Sequence, residues 1–169
     1  GLHRSAVATL DDAGRAGAAR YFRDEVEPVL TPLAIDTSRP FPMLSSLSLN
    51  LAVRLEPAAA GGPERLAIVQ VPARLPRFVR VTGGPGQVFV CLEDIIRAHL
   101  GRLFPGQGIL EAAVFRLARD AEMELDDEGG RSYLEVVEEE LRRRRRNDVV
   151  RLEVEARASD GLVATLVEQ

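Results

Sequence analysis

Apolar positions recur along this chain with two different periods, and each change of period marks an element. Tyr21, Phe22, Val26, Val29 and Leu30 recur at helical spacing and predict a helix over residues 10–30, with Asp11 and Asp12 at its positive end. Pro28 and Pro32 break that pattern, because proline lacks an N–H and clashes with the preceding turn. Pro40 and Pro42 hold the next stretch extended. Leu47, Leu49, Leu51 and Val53 then alternate, predicting a half-buried strand over 47–55. A glycine- and alanine-rich hairpin loop over 57–63 leads to a short β-rich run at 66–71.

Further strands are predicted at 78–81 and 88–91, flanking the turn Gly83-Gly84-Pro85-Gly86. Leu92, Ile95, Ile96, Leu100 and Leu103 predict a helix over 92–104, opened by Glu93 and Asp94 and ended by Pro105 and Gly106. Residues 114–118 alternate as a strand, 126–130 form an acidic loop, and 132–144 are helical with Tyr133, Leu134, Val137 and Leu141 on one face. A final strand is expected at 149–154 and a helix at 162–169. Hairpin-like connections and separate helices predict an α+β fold, a largely antiparallel sheet with helices packed mainly on one face.

Five segments in order carry a resemblance: 21–53, with YF, LTPL, PFP and LSLNLAV; the pairing of Val71-Pro72 with Leu75-Pro76-Arg77-Phe78-Val79; 89–104; 115–121; and 138–145. Together they resemble the middle, or head, domain of bacterial polyphosphate kinase. The resemblance implies a parent enzyme that reversibly transfers the terminal phosphate of ATP to inorganic polyphosphate through a phosphohistidine, using magnesium. It implies an α+β middle domain that holds the other domains of the same chain and contributes to a homo-oligomer. The catalytic histidines of that family belong to its C-terminal half.

Composition adds limits to this picture. The 169 residues fit one domain, 1–169, and the N-terminal and C-terminal catalytic domains of the family are absent from it. Gly1 stands where an initiator methionine would, and Gln169 falls inside a helical pattern, as expected of a fragment of a longer polypeptide. A net charge of −4 argues against a nucleic-acid partner, although all 22 basic residues are arginine. The lone Cys91 has no intrachain partner for a disulfide, so a reducing, cytoplasmic compartment is expected. No apolar run approaches the roughly 20 residues needed for a transmembrane segment.

Candidate chemistry is sparse. His3 lies in a terminal segment, and His99 sits near a helix C-terminus, where a cation is favoured. Neither matches a phosphohistidine context, so no catalytic residue is assigned. One cysteine and two distant histidines give no metal spacing, and Asp126-Asp127-Glu128 lacks the alternating ligands of a calcium loop. The turn at 83–86 has no following lysine and does not open a helix, so it is no phosphate cradle. No cofactor is expected to bind this fragment.

The sharpest charged feature is the run Arg142, Arg143, Arg144, Arg145 and Arg146, preceded by Glu138, Glu139 and Glu140. Pairs such as Glu138–Arg142 at i,i+4 and the helix dipole account for the run without a ligand. The alternative reading is a stand-alone module gripping a polyanion, polyphosphate or RNA, through those guanidiniums. Arg39, held between rigid neighbours, is a second polyanion candidate, and Phe41 is a candidate domain-interface anchor or a core residue. A scaffold domain of a polyphosphate kinase, inactive alone, is the leading expectation. An independent enzyme would need a catalytic constellation that the sequence does not display.

Overall fold

Apolar side chains on both sides of one strand set the plan of the fold. The computed structural model describes residues 2–35, 41–59, 61–81, 87–119 and 149–169. Its elements run β1 (Leu2–Arg4), α1 (Asp12–Tyr21), β2 (Leu33–Ile35), β3 (Asn50–Leu55), β4 (Arg65–Gln70), β5 (Phe78–Val81), β6 (Gln87–Cys91), α2 (Leu92–Ala98), α3 (Leu100–Leu103), β7 (Ile109–Arg119), β8 (Val149–Val154) and α4 (Asp160–Val167). Five strands form one sheet in the order β2-β4-β3-β7-β8, with every pair antiparallel. A smaller sheet has the order β1-β6-β5, antiparallel between β5 and β6 and parallel between β1 and β6.

Strand β3 lies at the centre of the larger sheet, and side-chain alternation sends it into two cores. Leu51 and Val53, opposite Val69 and Ala67 of β4, face a cluster with Ala18, Phe22, Leu92, Ile95, Ile96 and Leu100. Ala52, opposite Ile68, faces a second cluster with Phe115, Leu117, Leu162 and Leu166. Among the described residues, helices α1, α2 and α3 thus serve one face and α4 the other. The smaller sheet joins the first cluster through Val79, Val81 and Val90. Each fully buried Leu, Ile, Val or Phe contributes about 1.5–3 kcal/mol by leaving water, which is why this aliphatic interior suffices without tryptophan. The α+β architecture, antiparallel sheet and mainly one-sided helices expected from the sequence are all present.

Three local departures have physical causes. The helix expected over 10–30 is regular only through α1, capped by Asp11, whose carboxylate accepts from the Gly14 N–H at 2.7 Å. It widens to a π turn at Phe22–Val26 and tightens to a 3₁₀ turn at Glu27–Val29. Pro28 has no N–H to return to the Asp24 carbonyl, so the α ladder fails there. The helix expected over 92–104 divides at His99 (φ −118°, ψ 15°). Its backbone N–H donates to Ile96 O at 3.0 Å, while its ring Nδ1 takes the Ile95 carbonyl at 2.8 Å. The side chain has replaced the i→i−4 bond.

The strand expected from residue 47 starts at Asn50 instead. Ser48 N–H closes a turn on Ser45 O at 3.1 Å, and Leu47 adopts φ +61°. Buried Asn50 then donates from Nδ2 to Ser48 O at 2.8 Å. The β3–β4 and β5–β6 hairpins appear as expected. Residues 83–86, 126–128 and 132–144 lie outside the described residues.

Candidate functional site

A seam of charged side chains ties α2 and the smaller sheet to the edge of the larger one. Asp94 and Arg97 stand one helical turn apart on α2, 2.8 Å from oxygen to nitrogen. Arg97 extends its other nitrogen, Nη2, to Glu155 Oε2 at 2.5 Å, just beyond β8. That same oxygen accepts the Val114 N–H of β7 at 3.0 Å. Arg157 holds the second oxygen of Glu155 at 2.7 Å. Arg77, preceding β5, donates through Nε and Nη2 to Glu93 Oε1 at 3.0 and 2.7 Å, and the Glu93 side chain is 6% exposed. Charge-assisted bonds of this kind are stronger than neutral ones and fix orientation as well as distance. Arg4, Arg77, Glu93, Asp94 and Glu155 border a cleft of about 320 Å³ here.

Cys91 sits beside this seam. Burial pushes its thiol up, and the charge of Glu93 adds to the effect. The protonated form is thereby favoured, the opposite of what a nucleophilic cysteine needs. Among the described residues, no group of three or more His, Cys, Asp or Glu side chains converges as a metal site.

A second clamp fixes the start of α4. Arg54 on β3 bonds Glu64 Oε2 at 2.6 Å and Glu111 Oε2 at 2.9 Å. Glu111 accepts from the Ser159 N–H at 2.7 Å and from its hydroxyl at 2.6 Å, while Ser159 caps α4 through the Leu162 N–H at 3.2 Å. Burial alone would raise the Glu111 carboxyl, but the Ser159 and Arg54 bonds outweigh it and hold it below its ordinary range.

Among the described residues, the two candidates His99 and Phe41 stand in different surroundings. His99 is half-buried, stacked on the fully buried Phe22 ring and tied to a backbone carbonyl. Phe41 is half-buried, packs on the cluster beneath α4, and borders a groove of about 530 Å³ with Met43, Val150 and Val167. Arg39 and Arg142 to Arg146 lie outside the described residues. The charged seam was missed at the sequence level. Its Asp94–Arg97 spacing was visible as an i,i+3 pair, but Glu155 is 58 residues from Arg97 and only the topology joins them.

The arrangement is a set of structural clamps around two closed cores, and comparison with known proteins gives it a family. A family model described as "Polyphosphate kinase middle domain" matches residues 14–169. The chain belongs to the polyphosphate kinase middle-domain family. It is 39% identical to the polyphosphate kinase of Mycobacterium avium (strain 104), covering 100% of this chain and 24% of that protein. It is 46% identical to the polyphosphate kinase of Exiguobacterium sibiricum, over 82% of this chain and 19% of the relative. The fold matches the crystal structure of polyphosphate kinase from Porphyromonas gingivalis with a TM-score of 0.75 and 25% identity, over 98% of this chain and 23% of that one. The chain spans about a quarter or less of the relatives it matches, in keeping with a family defined as one domain of a larger enzyme.

Proposed function

We propose that this chain is the scaffold domain of a polyphosphate kinase, inactive by itself, whose rigid clamps hold neighbouring domains and a subunit interface in place. The observation that carries the reading is the middle-domain match over 14–169. The two cores closed around β3 support it, since a domain that transmits position must resist deformation. The parent enzyme transfers the ATP terminal phosphate reversibly to polyphosphate through a phosphohistidine on another domain. ATP and magnesium are held there too, because phosphoryl transfer depends on cations placed beside a positioned nucleophile. The parent works as a homo-oligomer in the cytoplasm, and Phe41 anchors the domain-facing side of this chain.

The test incubates the isolated 169-residue chain with labelled ATP and polyphosphate, after circular dichroism has shown it folded. The expected result is neither bound label nor lengthened polymer. Label on the folded chain would contradict the assignment.

A further inference from the structure

Strand register in the smaller sheet places Arg4, Phe89 and Arg80 in one row, since Arg4 pairs with Phe89 and Phe89 with Arg80. Directly paired residues share a face. The opposite face carries Val79, Val81 and Val90 into the core. The row therefore faces outward, consistent with exposed Arg4 and Arg80 and a Phe89 that belongs to neither core cluster. Both arginines stand on the rim strands of the sheet, two strand spacings or roughly 10 Å apart at the backbone. Arg80 makes no hydrogen bond or ion pair among the described residues. Arg4 is 70% exposed and its nearest acid, Asp94, is 3.7 Å away and already bonded to Arg97 at 2.8 Å. Two guanidiniums on long stems, one without a partner among the described residues and one loosely held, present a face complementary to a string of phosphates.

We propose that this row is an auxiliary holding site for inorganic polyphosphate, gripping a stretch of long chain away from the reacting end. The inference rests on the polyphosphate kinase reading and deepens it. A single-stranded nucleic acid is the weaker occupant. Base recognition without hydrogen-bond readout needs an open aromatic platform, and the exposed ring on this face, Phe78, has the Arg77 guanidinium 6.0 Å from its centre. The bare phosphate chain needs only the arginines.

The test measures binding of end-labelled long-chain polyphosphate to the full-length protein across a salt series. The double variant Arg4→Gln/Arg80→Gln is expected to bind about tenfold more weakly and to lose about two units of the log–log salt slope, one for each phosphate contact removed. Arg80→Lys, which keeps the charge, should retain the slope. Unchanged affinity and slope in the double variant would overturn the site while leaving the family reading intact. A wild-type protein that binds no polyphosphate at low salt would overturn the reading beneath it. Labelled single-stranded RNA bound more tightly than polyphosphate, and lost in the same double variant, would overturn the choice of occupant.

Discussion

The ring of His99 lies flat against that of Phe22, with centroids 4.6 Å apart and planes 12° from parallel. This contact joins the break between α2 and α3 to the π turn that follows α1. It gives His99 a structural task. Replacing His99 with alanine is expected to lower stability by about 1 kcal/mol, the value of an aromatic pair beyond its area. Replacing Phe22, which has no exposed surface, should cost about 3–5 kcal/mol. Urea titrations of both variants check the order, and a His99→Ala effect as large as that of Phe22→Ala would show that the stack has been misjudged.

Arg97 and Glu155 bind α2 to the β8 edge while both are mostly shielded from water, at 18% and 26% side-chain exposure. A double-mutant cycle with Arg97→Gln and Glu155→Gln should return a coupling of about 1–2 kcal/mol, because the residues touch and share partners. Additive single effects would mean that the seam contributes geometry without energy.

Glu111 sets an acid limit. Its carboxyl is held below the ordinary 4.5 by Ser159 and Arg54 against the opposing pull of burial. A depressed folded-state pKa gives stability that is present above the unfolded value and lost as pH falls through the folded one. Stability should therefore decline below about pH 4.5, and Glu111→Gln should remove part of that slope while lowering stability at neutral pH. Denaturation midpoints at several acidic pH values decide this; an unchanged slope in the variant would assign the acid loss to other carboxylates.

Leu47 is strained for a residue with a side chain. Its φ of +61° lies in the left-handed region, its N–H donates to Leu117 O at 2.6 Å, and the residue is 63% exposed. Left-handed backbone costs an ordinary residue about 1–2 kcal/mol, and asparagine tolerates it better. Leu47→Asn is expected to stabilise by about 0.5–1 kcal/mol, read as a rise in Tm. A fall in Tm would show that the Leu47 side chain contributes packing that its exposure hides.

Much of this fold could be read from period alone. β4, β5, β8 and α4 stand where alternation or helical spacing placed them, within a residue or two. The three-residue strands β1 and β2 are too short to carry any period, so pairing alone reveals them. The break at His99 depends on a ring nitrogen competing with the backbone for the Ile95 carbonyl, which helical spacing does not encode. The holding row was invisible for a related reason: Arg4 and Arg80 are distant in sequence and become neighbours of Phe89 only through strand register. His99, read from the sequence as a partly exposed residue near a helix C-terminus, is half-buried at the break that ends α2.

Phosphohistidine mapping of the full-length protein, quenched during turnover with labelled ATP and digested under alkaline conditions, separates a scaffold domain from a catalytic one. Phosphate is expected on a peptide from outside this chain, and none on the peptides bearing His3 and His99. Stoichiometric phosphate on His99 would contradict it.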